Sequence, residues 1–387
     1  MNIELKQHIE ETYNQKFDSN YILVNSPGRI NIIGEHTDYN DGFVLPAAID
    51  KSIIAAIGES DTEYSNLVAL DNNETYTFTL QNIKPIPHGN WKNYIIGVVA
   101  ELQKNGCIIK PFNVVFAGDI PKGAGLSSSA ALENSIVFGL NTLFNLSLTK
   151  LEMIQIAQHA EHHYVGVRCG IMDQYASMFG IENHAILLDC RSLQSKFLKI
   201  NFNEFQLVLI NTNVSHNLVD AEYNDRREVC EKVASLLQIN ALRDATKSDL
   251  NKVKSLISED NYQKALYIIE ENERVLKAAK YIEQNNIQGI GKLLYDAHDG
   301  AQYQFKISCK ELDFLVEQTK HNSSVIGSRM MGGGFGGCTI NIVKTEAVKE
   351  FTEQTAINFR NKFGFDCSIY FVKLSNGTHI INKTTNN

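Results

Sequence analysis

The chain has 387 residues, more than one hydrophobic core usually supports, so its length predicts two domains. Apolar residues make up 43% of the chain and charged residues 21%, which excludes an intrinsically disordered protein. The formal net charge of -8 argues against a nucleic-acid partner, because affinity for phosphate backbones comes from Lys and Arg displacing counterions.

The N-terminus and the cysteines predict a cytoplasmic protein. The first 17 residues are rich in Glu, Lys, His and Gln, and they lack the apolar core of a signal peptide. No uninterrupted apolar run approaches the roughly 18 residues that suggest a membrane span. The seven cysteines are scattered and form no C-x-x-C pair, which argues against disulfides and structural zinc. We therefore expect no membrane partner.

The order of predicted elements favours two α+β domains. Strands are predicted in the first third, at residues 21–24, 52–57 and 112–116, and helices from about 222 to 320, a stretch without proline. Two further strands are predicted at 338–343 and 367–372, with a helix between them. We place the domains at 1–195 and 196–387, with the boundary near 192–199, where a strand ends and a polar connection begins.

The first unusual segment covers residues 27–46 and concentrates charged side chains between glycines and apolar residues. Arg29, Glu35, His36 and Asp38 lie within ten positions of one another. Carboxylates and an imidazole on a tight turn supply the convergent acceptors and donors that fix a sugar ring. A structural loop that bonds its own backbone is an equal alternative, and a metal site is a weaker one because established ligand spacing is lacking.

The second segment, residues 121–133, has the order of a phosphate-binding loop: a strand, a run of small residues and the start of a helix. Glycines let the backbone approach an anion, free N–H groups at the helix start face it, and serine hydroxyls add donors or a Mg²⁺ ligand. The alternative is a serine N-cap on an ordinary helix. No G-x-x-x-x-G-K-[ST] motif occurs, so this is not a Walker A loop.

Two acidic residues stand at unusual places. In the helix predicted over 150–165, Glu161 continues the apolar face formed by Leu151, Ile154 and Ala157, and a carboxylate on such a face needs a partner. A cation is one candidate partner, and a structural hydrogen bond to Arg168 or a backbone amide is another. Asp173 begins a short helical pattern, where the alternative to a chemical role is interaction with the helix dipole.

The third segment is the glycine run 332–337, which formally satisfies G-x-G-x-x-G. A dinucleotide fingerprint must follow a strand and open a helix, whereas this run leads directly into the strand predicted at 338–343. We interpret it as backbone packed closely beside a ligand, and an ordinary tight turn is equally compatible.

Together these segments resemble the motifs of the GHMP kinase superfamily, and the first is similar to the signature of its galactokinase family. The similarity runs over Gly28–Tyr39, with Gly42 and Val44–Pro46. Further segments also resemble galactokinases, and the resemblance spans nearly the whole chain. These segments are Asn90–Tyr94, Cys169–Gln174, Asn211–His216 and Glu222–Tyr223.

The resemblance implies a role for each motif. Asp173 would take the proton from the C1 hydroxyl of the sugar, and Arg29 would stabilise the transition state. The resemblance implies that the sugar is bound by Glu35, His36, Thr37, Asp38, Gly170, Asp173 and Tyr223. It implies that the ATP phosphates are wrapped by Gly123, Ala124, Gly125, Leu126, Ser127, Ser128 and Ser129. Mg²⁺ would be held by Ser129 and Glu161.

The implied fold is α+β with two domains, an N-terminal S5-like domain and a C-terminal ferredoxin-like domain, and with the active site between them. The implied reaction is ATP-dependent phosphorylation of galactose at C1, by a monomer or a weak oligomer. Two alternatives stay open: a kinase for N-acetylgalactosamine or another sugar, and a galactose sensor without catalysis. Thr37 favours galactose, since N-acetylgalactosamine kinases tend to carry isoleucine there. The intact Ser127–Ala131 stretch disfavours the sensor.

Overall fold

Three sheets and a set of surrounding helices make up the chain, in a computed structural model that describes residues 2–214 and 219–381. The helices are α1 (Ile3–Lys16), α2 (Trp91–Lys104), α3 (Ser128–Phe144), α4 (Lys150–Ala160), α5 (Met172–Phe179), α6 (Val219–Leu236), α7 (Lys247–Lys252), α8 (Glu259–Glu283), α9 (Ile287–Asp299), α10 (Lys310–Lys320) and α11 (Val348–Phe363). The strands are β1 (Tyr21–Asn31), β2 (Phe43–Val44), β3 (Pro46–Glu59), β4 (Ser65–Ala69), β5 (Glu74–Phe78), β6 (Phe112–Gly118), β7 (His184–Asp189), β8 (Ser195–Lys199), β9 (Phe205–Asn211), β10 (Val325–Met330), β11 (Cys338–Lys344), β12 (Ser368–Val372) and β13 (His379–Ile380).

The N-terminal sheet has the strand order β13-β1-β3-β6-β4-β5. Strands β1 and β3 form a long antiparallel pair whose register shifts between Pro27 and Arg29. Proline lacks the N–H group that a ladder needs, so the pairing breaks at this position and the strand bends. The shift falls at the start of the charged signature segment, where Arg29 stays paired with Ala48 and its N–H donates to the Leu126 carbonyl in the loop after β6.

The C-terminal sheet has the order β10-β11-β9-β12, and its strands are almost fully buried along β9, β10 and β11. Helix α9 packs closely on β10, where an added Cβ on Gly291 would lie 2.0 Å from the carbonyl oxygen of Ile326. This close approach needs glycine. The end of β10 and the glycine run that follows it are thereby brought against the signature segment.

Most predicted elements are confirmed, including the strands near the chain ends and the helical stretch from 222 to 320. The polar connection predicted near 192–199 was wrong, because Ser195–Lys199 forms β8 and pairs with β7 in the small sheet β2-β7-β8. As an edge strand with only Leu198 fully buried, β8 carries polar residues that resemble a loop in sequence. The domain boundary at 195 stays a prediction.

Strand β13 pairs with β1, so the last described residues complete the N-terminal sheet. Throughout 2–214 and 219–381, helices long and apolar enough to cross a bilayer are absent.

Candidate active site

A cavity of about 140 Å³ collects charged residues from both halves of the chain. It is lined by Arg29, Glu35, His36, Asp38, Glu161, Val167, Cys169, Gly170, Met172, Asp173, Tyr223, Gly332 and Gly333. A larger cleft of about 1080 Å³ lies along β8 and β9, but it contains none of the predicted site residues. We assign the site to the smaller cavity because the ionisable groups converge there.

Arg29 and Asp173 form a bidentate ion pair in the cavity wall. The guanidinium donates from Nε to Oδ1 of Asp173 over 2.8 Å and from Nη2 to Oδ2 over 2.9 Å. Its third nitrogen, Nη1, donates to the carbonyl oxygen of Gly125, and the Ser127 hydroxyl donates to Oδ2 of Asp173. Bidentate pairs of this kind fix the relative orientation of the two side chains and also balance their opposite charges. The pair therefore joins the first turn of α5 to the small-residue loop.

The loop from Gly123 to Ser129 connects β6 with α3 in a tight, partly left-handed path. Gly123 and Gly125 both have φ of 68°, and Ser127 at the N-cap position has φ of 57°. The Ser127 side chain makes no capping bond, because it bonds Asp173 instead, so the N-cap alternative is wrong for this serine. The N–H groups of the first turn of α3 are left for a ligand, as at helix N-termini that bind anions.

Glu161 lies where α4 passes into a π-turn over Glu161–Val165, a distortion that is frequent at functional sites. Its Oε2 accepts bonds from Nε2 of Gln174 (2.8 Å) and from the Cys169 thiol (3.3 Å). Burial, and then the nearby Asp173, raise the pKa of Glu161 to about 7. The apolar face of α4 excludes Leu151, which is 40% exposed. That part of the predicted face was wrong.

Arg168, one of the two alternative partners for Glu161, pairs instead with Glu231 at 2.9 Å, so that part of the alternative was wrong. The nearby Ser129 hydroxyl lowers the pKa of Glu161 and so favours its ionised form, although burial outweighs this effect. Among the described residues, no group of three or more His, Cys, Asp or Glu side chains is placed to bind a metal ion. A serine hydroxyl beside a buried carboxylate fits Mg²⁺, which takes one or two protein ligands and completes its shell with phosphate and water.

The signature segment supplies the other polar groups of the cavity. Oε1 of Glu35 accepts from Nη2 of Arg329 and from the Gly332 N–H, each over 2.9 Å. His36 has φ of 61°, and its ring nitrogens contact the Tyr39 hydroxyl (2.7 Å) and the Gly333 carbonyl (3.1 Å). Burial lowers the pKa of His36 to about 4, so its ring is neutral.

Asp38 and Gly170 form one wall together. Burial, and then the charge of Asp173, raise the pKa of Asp38 to about 7. A Cβ on Gly170 would lie 2.0 Å from Oδ2 of Asp38, so only glycine allows this approach. The ring of Tyr223 closes the cavity at 4.9 Å from the His36 ring. These predicted residues are brought together in one place.

Thr37 is the predicted sugar-binding residue that does not line the cavity. Its side chain is buried, and the hydroxyl donates to the carbonyl oxygens of Gly34 (3.0 Å) and Phe43 (2.7 Å). The residue therefore stabilises the turn of the signature loop. Of the resembling segment Asn211–His216, the last two residues lie outside the described part of the chain.

Arg329 and Gln174 each bond a carboxylate of the cavity, and neither was identified as a site residue from the sequence. Arg329 interrupts a buried strand just before the glycine run, and a lone arginine in an apolar pattern is the signal that could have found it. Gln174 follows Asp173, and its Nε2 contacts two buried carboxylates, Glu161 and Glu133 (3.2 Å). Its amide has no distinguishing pattern in the sequence.

Comparison with known proteins identifies the family. Family models match residues 11–59 as a galactokinase galactose-binding signature, residues 93–181 as a GHMP kinase N-terminal domain and residues 278–361 as a GHMP kinase C-terminal domain. A galactokinase of Thermotoga petrophila is 37% identical, over 92% of this chain and 99% of its own. The chain belongs to the galactokinase family. The galactokinase of Thermosipho africanus is 40% identical, over 92% of this chain and 98% of its own.

A solved structure agrees with this family. The Lactococcus lactis galactokinase complexed with galactose superposes with a TM-score of 0.93 at 31% identity, covering 97% of this chain and 99% of the other. The predicted resemblance and the predicted two-domain α+β fold of GHMP kinases are thereby confirmed. This member of the galactokinase family is a sugar kinase, and ATP use follows from the family.

Proposed function

We propose that this galactokinase family member transfers the γ-phosphoryl group of ATP to the C1 hydroxyl of α-D-galactose, giving galactose 1-phosphate and ADP, the first committed step of galactose catabolism. The observation that carries this proposal is the Arg29–Asp173 pair, which lies in the wall of the cavity and reaches the loop at Gly125 and Ser127. A proton acceptor and a fixed positive charge thus lie between a polar cavity and a phosphate-binding loop.

In this reaction Asp173 accepts the proton of the C1 hydroxyl as the hydroxyl oxygen attacks phosphorus and the bond to ADP breaks. Arg29 stabilises the charge on the transferring group and holds Asp173 in the orientation that receives the proton. Phosphoryl transfer requires mostly positioning and charge stabilisation, and both come here from rigid, buried groups. The N–H groups of the loop Gly123–Ser129 and of the α3 N-terminus bind the phosphates.

We assign the sugar to the cavity lined by Glu35, His36, Asp38, Gly170 and Tyr223. The neutral His36 ring and the carboxylates of Glu35 and Asp38 offer hydrogen-bond partners to hydroxyl groups in a buried setting. A site built in this way rejects sugars that lack a recognised hydroxyl, since buried polar groups would then lose their partners.

We assign Mg²⁺ to Ser129 and Glu161, which lie close enough for the serine hydroxyl to influence the pKa of the carboxyl group. Bound there with ATP, the ion would supply charge stabilisation to the phosphates. Burial, and then the charge of Asp173, raise the pKa of Glu161, and a cation held there would offset both effects.

The proposal is tested by coupled ADP release with Mg-ATP and a panel of galactose, glucose, N-acetylgalactosamine, arabinose and mevalonate. We expect turnover confined to galactose and its close analogues. Preference for N-acetylgalactosamine or another sugar would contradict the assigned substrate but keep the kinase. Binding of galactose and ATP without ADP release would contradict the proposed catalysis and indicate a sensor.

We also propose the cytoplasm as the compartment. All seven cysteines, each within the described residues, are free thiols, as is usual for proteins of reducing compartments.

The raised pKa of Asp38 predicts pH-dependent sugar binding. Sugar hydroxyls donate most strongly to an ionised carboxylate, and Asp38 is ionised only above its pKa of about 7. Galactose should therefore bind about tenfold more weakly at pH 6 than at pH 8, since one proton must be released on binding. Calorimetry without nucleotide measures this dependence.

The variant Asp38→Asn provides the control, because it keeps the size of the side chain and cannot titrate. Its galactose affinity should be lower than that of the wild type at pH 8 and flat between pH 6 and 8. A wild-type affinity that does not change with pH, or a variant that keeps the dependence, would contradict the role of Asp38.

The variant Glu161→Gln is expected to raise the Mg²⁺ concentration needed for half-maximal rate by about tenfold or more, because a carboxylate ligand is replaced by a neutral amide. Galactose affinity measured without nucleotide should stay within about twofold of the wild-type value, because Glu161 is assigned to the metal and not to the sugar. Binding of Mn²⁺ with ADP, followed by electron paramagnetic resonance, reports the same loss without turnover. The exposed loop residue Glu63 gives the matched control Glu63→Gln. Equal Mg²⁺ requirements in both variants would remove Glu161 from the metal site.

A further inference from the structure

Arg329 is a second buried guanidinium beside the cavity, and the reaction described above does not use it. The residue is next to last in β10 and is 1% exposed. Its Nε donates to the carbonyl oxygen of Ile32 over 2.8 Å, and Nη2 donates to that of Asn31. Arg329 thus ties the end of β10 to the end of β1, within the signature segment.

The same Nη2 also donates to Oε1 of Glu35 over 2.9 Å. The N–H of Gly332 donates to this oxygen as well, so both bonds fall on one side of the carboxylate. Glu35 lines the cavity, and its second oxygen, Oε2, receives neither of these two bonds. A buried carboxylate needs such a partner, and the geometry of the pair sets where the free oxygen points.

The charges of the cavity support a special place for this pair. Four carboxylates line it, and two of them have an arginine partner: Asp173 with Arg29, and Glu35 with Arg329. The other two, Asp38 and Glu161, have their pKa values raised by burial. Arg329 therefore compensates the charge of Glu35, whereas Arg29 forms its ion pair with Asp173.

A comparable buried ion pair on α8 contacts the same loop but does not line the cavity. Glu271 on α8 accepts the Gly34 N–H at Oε1 (2.8 Å) and the Arg274 Nε at Oε2 (2.6 Å). Both oxygens are occupied by these bonds, and Glu271 is absent from the cavity lining. The Arg274–Glu271 pair holds the backbone next to Glu35, whereas the Arg329–Glu35 pair holds a side chain in the cavity wall.

We propose that Arg329 is a positioning residue that sets sugar specificity, by holding the Glu35 carboxylate so that its free oxygen receives one particular hydroxyl of the sugar. The inference rests on the proposed function, because the sugar site is assigned there. Arg329 acts through Glu35 and touches no reacting atom.

The test compares wild type, Glu35→Gln, Arg329→Lys and Arg274→Lys with galactose and its four monodeoxy analogues at C2, C3, C4 and C6. For each protein, kcat and KM are measured by coupled ADP release. Glu35→Gln identifies the hydroxyl that Glu35 recognises, because this variant should no longer discriminate against the analogue that lacks that hydroxyl. Arg329→Lys should lose discrimination against the same analogue, with a rise in the galactose KM of about tenfold and little change in the ATP KM. Arg274→Lys should leave the order of preference unchanged.

Three results would overturn the inference. One is a folded Arg329→Lys enzyme that discriminates against the deoxy analogues as the wild type does. Another is an equal loss of discrimination against all four analogues, which a merely structural role would produce. If Arg329 variants do not fold, Glu35→Gln decides, since it leaves the bonds of Arg329 to the Asn31 and Ile32 carbonyls in place. An unchanged galactose KM in that variant is the third. Absence of galactose turnover in the wild type would instead contradict the proposed function.

Discussion

Replacement of Asp173 by Asn is expected to lower kcat by about 10² to 10⁴-fold or more, the usual contribution of a positioned base. Asn keeps the size of the side chain and can still accept one bond from Arg29, so the cavity should hold its shape. It cannot take the proton of the attacking hydroxyl. Galactose and ATP should both still bind, and the loss should appear in kcat. Steady-state kinetics with calorimetric binding measures the two effects separately.

The control for this change is Asp244→Asn. Asp244 also forms a bidentate pair with an arginine, Arg191, over 2.8 and 2.7 Å, but that pair is partly exposed and lies outside the cavity. Near-normal turnover is expected in this variant. Near-normal turnover in Asp173→Asn would remove Asp173 from the mechanism.

The second large effect is expected at Arg29. The change Arg29→Met removes the positive charge beside the transferring phosphoryl group, and arginines in that role contribute about 10³ to 10⁵ in kcat. It also leaves the Asp173 carboxylate without its cation and frees the Gly125 carbonyl. The loss at Arg29 should therefore equal or exceed the loss at Asp173.

The variant Arg29→Lys separates charge from geometry. Lysine keeps one positive charge but has a single nitrogen, so it cannot bond both oxygens of Asp173 and the loop carbonyl together. We expect an activity between those of the wild type and Arg29→Met. Arg191→Lys, which alters the exposed pair with Asp244, should stay close to the wild type. Full activity in Arg29→Lys would show that the fork is unnecessary, and full activity in Arg29→Met would contradict the role of Arg29.

The fold was predictable where local pattern and burial agree. Strands β6 and β11 and the second half of β3 are rich in apolar and β-branched residues, and the proline-free stretch after residue 222 has clear helical periods. Strand β8 was missed because an edge strand exposes its polar side chains, so its composition resembles a connection. The return of β13 to β1 depends on contacts between the two ends of the chain, which no local pattern encodes.

The site was predictable to the extent that its residues cluster in short segments. Arg29, Glu35, His36 and Asp38 stand together in the sequence, and the structure places them around one cavity with Asp173 and Glu161. The pairing of Arg29 with Asp173 spans 144 positions, and that of Glu35 with Arg329 spans 294. Neither partner could be chosen from sequence spacing. Thr37 was expected to bind sugar, but its hydroxyl is used by backbone carbonyls, a distinction that only side-chain direction reveals.

The most direct test of the account is to identify the product formed from galactose and Mg-ATP by phosphorus and carbon nuclear magnetic resonance. The account predicts a single product, α-galactose 1-phosphate, with the phosphorus coupled to the anomeric carbon, and its loss in Asp173→Asn. Phosphate on any other hydroxyl, or the absence of a phosphorylated sugar despite binding of both substrates, would contradict it.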